Sequence, residues 1–292
     1  MASVSVAVAS FRERRLLDAC LESLVEQSER AGASIVVARD GDEQETEQLE
    51  RDWPGVTFVR AERGASVPFL RGLALGHSPG DFALLTEDHC IAAPDWIERL
   101  LAARAHGDVV GGSMDNRQTA RALDWGAYFA EYGFFGAGAG HGSLLPTAAN
   151  VAYTRDAAAK VSEWCSAGLW ENVAHARLLE QGARWRFEPA ATVYQNKNYR
   201  FAAFCRDRFE HGLSYARRRV VDEGAAKRWS CLATSPLLPF LLTMRVARAC
   251  WARHARPFVR ALPFTFTFLA AWSLGEAAGY LTGSGGASRR GP

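Results

Sequence analysis

Uninterrupted apolar runs alternate with amphipathic stretches through the N-terminal third of the chain. Val4 to Ala9 reads as a buried strand, and Leu16 to Gln27 follows as a helix whose Leu17, Cys20, Leu21, Leu24 and Val25 form one stripe. Ser34 to Ala38 is a second strand, after which the chain turns at Gly41 into a charged helix. Val56 to Val59 predicts a short third strand. A helix over Val67 to Leu75 tolerates Pro68 in its first turn, Gly76 to Gly80 break it, and Phe82 to Thr86 is the fourth strand. Pro94 opens another helix, with Trp96, Ile97, Leu100 and Leu101 spaced to pack on a sheet.

Such regular alternation predicts an α/β fold with a mostly parallel sheet covered by helices on both faces. Ligands of such sheets bind beyond the carboxyl ends of the strands. Ser10 to Arg12, Arg39 to Asp42 and Glu87 to His89 fall along that one edge. Glu87, Asp88 and His89 follow an apolar run directly, and a solvated loop, a metal clamp or half of a hydrolytic centre would each suit them. Gly133 to Pro146 is glycine-dense and is expected to be a mobile loop. Its overlapping GxG spacings do not lie between a first strand and its helix, which argues against a dinucleotide fingerprint. Asn150 to Thr154 resumes as a strand, and Glu171 to Gln181 as a helix with Ala174, Leu178 and Leu179 inward. The stretch "RWRFEPAATVYQNKNYR" predicts two short strands around a proline turn.

From about Trp229 the pattern changes. Two apolar runs, Cys231 to Met244 and Ala261 to Leu274, flank an arginine-rich connector. Each is shorter than the roughly 20 residues needed to cross a bilayer upright, and prolines interrupt both. A buried helical hairpin is one reading. Helices lying in a membrane surface are the favoured one, with Arg245, Arg248, Arg253, Arg256 and Arg260 facing anionic headgroups at about 1 kcal/mol per contact. The C-terminal residues 283–292 are expected to be disordered.

Composition narrows the classes. Hydrophobic content of 48% with 23% charged residues is that of a folded protein, and a net charge of +2 gives no case for nucleic acid as a partner. The cysteines are scattered without a CxxC pair, which fits a reducing compartment and neither a zinc ribbon nor a disulfide scaffold. The first ten residues lack the basic segment of an export signal, so a cytoplasmic location, at the cytoplasmic face of a membrane, is expected.

Five segments in order carry a resemblance. "VSVAVASFRERRLLDACLESLVEQ", "IVVARDGDEQET", "GDFALLTEDHCIAAPDWIERLL", "TAANVAYTRDAA" and "GLWENVAHARLLEQG" together resemble the glycosyltransferase family 2 proteins of GT-A fold, in particular membrane-associated bacterial members, from about Val4 to Arg219. The resemblance implies a GT-A domain over 1–219, a membrane-associating helical region over 220–282 and the tail beyond. It implies transfer of a sugar from a nucleotide diphosphate sugar to an acceptor hydroxyl, inverting and assisted by a divalent cation, Mn2+ or Mg2+. The acceptor is expected to be lipid-linked or hydrophobic. No QxxRW-like sequence follows, so a single addition is expected rather than polymer synthesis.

Residue by residue, Glu87, Asp88 and His89 match the family's DxD positions, with Glu87 and His89 as metal ligands and Glu87 and Asp88 on the donor. Ser10, Phe11, Arg12 and Asp40 match donor-binding positions, Phe11 being placed to stack on the base. Glu171 matches the first residue of the Glu-Asp pair, and because Asn172 replaces the second, Glu171 is the expected base. Asn150, Trp170 and Asn172 fall on the acceptor side. The chain departs from the family at Leu70, where Asn is usual, and at Gln195, where a histidine ligand often stands; Lys197 and Arg200 offer alternative charge for the diphosphate. These departures leave a second reading, a non-catalytic nucleotide- or glycan-binding protein on a degenerate scaffold. A sugar nucleotidyltransferase ranks last, because "ASFRERR" contains no glycine.

Overall fold

The structure is a computed structural model. It describes residues 3–138 and 145–283, without the side chains of 218 and 220–227. These residues form two compact units: one from the N-terminus to Asp115 with the segment from Leu145 to Asn196, the other from Asn116 to Gly138 with the segment from Lys197 to Gly283.

In chain order the first unit holds β1 (Val4–Ser10), α1 (Arg14–Ala31), β2 (Ala33–Asp40), α2 (Glu43–Asp52), β3 (Val56–Ala61), α3 (Val67–Gly76), β4 (Phe82–Glu87), β5 (Cys90–Ala92), α4 (Trp96–Ala103) and β6 (Val109–Asn116). The second unit interposes α5 (Ala122–Glu131). β7 (Val151–Thr154), α6 (Arg155–Ser166), α7 (Glu171–Glu180) and β8 (Trp185–Gln195) then complete the first. The second closes with α8 (Phe201–Thr234) and α9 (Leu238–Thr282).

The sheet runs β3-β2-β1-β4-β7-β6-β8-β5. β3, β2, β1 and β4 are parallel neighbours, whereas β7 is antiparallel to both β4 and β6, and β5 to β8. Every residue of β1 and β4 is buried, as a strand covered on both faces requires. Alternation sends Ala7, Ala9, Ala83 and Leu85 to the face covered by Leu70 and Ala74 of α3, Val161 of α6 and Leu178 of α7. On the other face α1 buries Leu17, Cys20, Leu21 and Leu24. That helix stops at Gly32, whose φ of 61° is left-handed and lets its N–H reach back to Glu29 O. α2 and α3 start on Asp42 and Ser66, whose side chains accept from Glu45 N and Phe69 N.

Three expectations change. The stretch after Arg184 is one strand, not two around a turn. The fixed φ of Pro189 suits extended backbone, and its carbonyl accepts from Ser113 Oγ at 2.9 Å. The arginine-rich connector is helical: α9 runs through it with a single non-helical residue, His254 (φ −131°), three positions before Pro257. A proline lacks the N–H that would bond four residues back and crowds the carbonyl there, so the kink falls where it should. The apolar run from Cys231 is divided between α8, a short 3-10 turn over Ser235–Leu237 and α9. Of the glycine-dense segment, Gly133–Phe135 forms a 3-10 turn, and 139–144 lie outside the described residues, as do 284–292 of the tail. Residue 219, the expected domain end, lies inside α8.

Within the second unit α8 and α9 pack at close range. A Cβ on Gly212 would clash with the Trp272 carbonyl, and one on Gly275 with that of Phe209. Phe204 and Phe268 meet edge-to-face with centroids 4.7 Å apart.

Candidate active site

The register of the parallel strands sets Ser10 beside Arg39 and Ala9 beside Glu87, so the ends of β1, β2 and β4 are level. Asp88 follows at once and is fully buried. Its Oδ2 accepts from Ser10 Oγ at 3.0 Å, Phe11 N at 2.7 Å and Arg12 N at 2.6 Å. Ser10 Oγ also accepts from Arg39 Nη1 at 2.6 Å, and Arg39 reaches Arg12 O and Glu45 Oε1. The arrangement ties the β1–α1 loop to β2 and β4. Ser10 Oγ and Asp88 Oδ2 hold that loop, and both residues are buried. Phe11 sits edge-on to His89 with centroids 6.0 Å apart, and the Arg12 guanidinium lies 4.8 Å from its ring centre. Asp40 ends β2, and its Oδ2 accepts from Gly64 N at 3.0 Å, fastening the β3–α3 turn at a glycine with φ of 81°.

Glu87 is 2% exposed, and its Oε1 accepts from Arg71 Nε at 3.0 Å and from Nη2. The same guanidinium donates through Nη1 to Glu171 Oε2. It also lies 5.7 Å from the ring centre of Trp170, which caps α7. Arg71 therefore joins the end of β4 to the start of α7, the two carboxylates that sequence assigned to donor and acceptor. Arg71 is not among the residues expected at the site, although its neighbour Leu70 is a position where the family usually has Asn. A signal was present: Arg71 is the one charged residue in the apolar helix "VPFLRGLALG", and an arginine on a buried face needs anionic partners.

Glu87 Oε2 lies 3.5 Å from His89 Nε2. Two ligands about 2.0–2.2 Å from one ion stand roughly 3.0–3.5 Å apart, so this pair fits one cation. Asp88 Oδ1 accepts no hydrogen bond among the described residues and lies 3.6 Å from His89 Nδ1, beyond hydrogen-bond distance. No group of three metal-capable side chains occurs among the described residues. A cation here would take two ligands from the protein and the rest from phosphate oxygens and water. The end of β8 also reaches this corner: Gln195 pairs with Cys90, and Asn196 N donates to His89 O at 2.8 Å.

Asn150 is corrected. Its Nδ2 donates to Ser113 O and Ala191 O, and its Oδ1 accepts from Trp96 Nε1 at 2.7 Å. Fully buried and fully bonded, it bolts β6, β8 and α4 together and offers nothing to an acceptor. Asn172 is exposed.

α7 is held from below by His175, whose Nδ1 must donate to the Pro146 carbonyl, leaving Nε2 to accept from Tyr153 OH at 2.6 Å. Burial, with help from Arg71, pushes this imidazole from 6.5 down to about 3. A depressed histidine contributes stability above its unfolded value and loses it as pH falls towards the folded one. Stability should therefore decline between about pH 6.5 and 3, and His175→Gln, which keeps both hydrogen bonds, should flatten that slope. Urea titrations of both proteins across this range give the comparison; identical slopes would refute it.

The carboxyl edge of the sheet thus gathers a level row of polar strand ends, a carboxylate–histidine pair and a second carboxylate at a helix start. Residues 5–158 match glycosyl transferase family 2, and the chain belongs to that family. Among solved structures it is similar to the mannosyltransferase PcManGT from Pyrobaculum calidifontis, in complex with GDP-Man and Mn2+. Identity is 18% and the TM-score 0.58, over 96% of this chain and 87% of that one. It is also similar to GalNAc-T7 with UDP, GalNAc and Mn2+, at 16% identity and TM-score 0.48, over 68% of this chain and 44% of that one. No curated protein sequence matches the chain.

Proposed function

We propose that this glycosyltransferase makes a single, inverting addition of a sugar from a nucleoside diphosphate donor to a lipid-linked or hydrophobic acceptor hydroxyl beside a membrane. The observation that carries the reading is Arg71, fixed between Glu87 and Glu171. Inversion needs the acceptor oxygen to attack the anomeric carbon from the face opposite the leaving diphosphate. The acceptor's proton goes to Glu171 as the new C–O bond forms. The bond to the diphosphate breaks with its electron pair on the departing oxygen, whose charge Arg71 offsets. Arg71 holds Glu171 Oε2 before donor binds. A diphosphate, richer in charge, competes for that guanidinium and frees the carboxylate for the acceptor. Phe11, Arg12 and Asp40 line the nucleoside side. Glu87 and His89 would hold a divalent cation, which when bound neutralises the diphosphate.

The Pyrobaculum protein was solved with GDP-Man and Mn2+, so these are the first donor and ion to try. Nucleotide release should be detected with one of a panel of nucleotide sugars, and NMR of the product should show an inverted anomeric centre. Donor binding with neither hydrolysis nor transfer, across water-soluble and lipid acceptors, would leave the degenerate scaffold standing instead. His89→Ala should abolish the Mn2+-dependent part of nucleotide affinity, about tenfold or more by calorimetry. An unchanged metal effect would remove His89 from the ligands.

A further inference from the structure

One helix among the described residues, Arg228–Thr282, is long and apolar enough to cross a membrane by length and composition. Its geometry favours another placement. The kink at His254 makes two legs, and each has an inner and an outer face. Val246 and Cys250 of the first leg, and Phe258, Ala261, Phe268 and Leu269 of the second, are buried. Cys250 Sγ donates to Gly133 O, and Phe258 meets Phe129 of α5. The outer face of the first leg carries Phe240, Leu241, Met244 and Trp251 at helical spacing, Phe240 being 59% exposed and Trp251 56%, and Leu237 of the preceding 3-10 turn is exposed beside it in sequence. The second leg presents Val259, Leu262, Leu274 and Leu281, with Leu274 64% exposed. Phe240 and Phe266, with centroids 5.1 Å apart, join the two faces.

A continuous apolar face of this size on a soluble protein marks a contact surface. Charge identifies the occupant. Between Glu223 and Glu276 the sequence has no acidic residue, while Arg245, Arg248, Arg253, Arg256 and Arg260 are all exposed around the kink. A second copy meeting this face by two-fold symmetry would bring the same arginines against one another. An anionic bilayer surface satisfies both features, since apolar side chains enter the acyl boundary and guanidiniums bind lipid phosphates. An upright crossing does not fit, because the first leg meets arginine before the roughly 20 apolar residues a span requires.

We infer that the outer face of the kinked α9 hairpin lies in the plane of an anionic membrane surface, with the arginines about His254 among the headgroups. This deepens the membrane part of the function proposed above and rests on that part alone. Vesicle binding is read without donor or acceptor, and transfer is scored separately with a water-soluble acceptor, so either can fail without the other.

The full chain should float with vesicles of phosphatidylcholine and phosphatidylglycerol, more weakly with phosphatidylcholine alone, and less as salt rises. Phe240→Asp with Leu241→Asp should remove binding to both vesicles by at least about tenfold. Arg248→Gln, Arg253→Gln and Arg256→Gln should cost roughly fivefold each on anionic vesicles only. Should the aspartate pair lose its circular-dichroism spectrum, brominated lipid decides on the native side chains. It should quench tryptophan emission in the unmodified chain and less in Trp251→Phe. Absence of floating, floating untouched by both sets, or equal quenching overturns the inference. So does a concentration-dependent dimer that the aspartate pair dissolves, which would assign the face to a second copy.

Discussion

Glutamine in place of Glu171 should lower sugar transfer by about a hundred- to ten-thousandfold without weakening nucleotide affinity, which should hold or rise because the diphosphate no longer competes with a carboxylate for Arg71. Glu171 opens α7 with its carboxylate on Arg71 and a side chain 20% exposed, so substrate can reach it. Glutamine fills the same space and still accepts from Arg71 through its carbonyl, but it cannot take a proton from an alcohol at neutral pH. The loss should therefore appear in kcat, with donor binding measured by calorimetry as the control. Undiminished turnover would end the assignment of Glu171 as the base. Asn172, although adjacent, is exposed and is not a substitute base, since an amide has no useful proton affinity.

Arg71→Met should be the most destabilising single change in the site, at about 3–5 kcal/mol. Glu87 is almost fully buried, and without the guanidinium its charge stays in the interior without that partner. Arg71→Lys should recover only part of this loss, because an ammonium cannot present a planar fork to two carboxylates from different elements. Combining Arg71→Met with Glu87→Gln removes the buried charge and should restore much of the stability lost in urea unfolding, yet transfer should remain low. If the double variant regains transfer along with stability, Arg71 is a structural bolt and takes no part in the chemistry.

How far the site could be read from the chain depends on the range of each interaction. The strand ends were legible because a strand buried on both faces is a continuous apolar run, so Phe82 to Thr86 and the polar triplet after it declare themselves locally. Asp88 illustrates the limit. Its residue type matched a donor-contacting motif, but one of its oxygens, Oδ2, holds Ser10 and the Phe11 and Arg12 amides, across more than seventy residues of sequence. Asn150, which the resemblance put on the acceptor side, is a buried bolt whose partners come from α4, β6 and β8. The C-terminal kink was not legible: that the connector would stay helical except at His254 follows from packing on α5 and α8.

By itself the sequence determined the order of strands and helices from β1 to β4, the parallel half of the sheet, the family, and the edge along which Glu87, His89, Arg39 and Asp40 gather. Those follow from periodicity, which acts over a few neighbours. Only the tertiary structure decided that Arg71 bridges Glu87 and Glu171, 16 and 100 residues away along the chain. A buried charge takes whichever opposite charge the fold brings within reach, and reach is set in space, by the packing of α3 on α6 and the sheet.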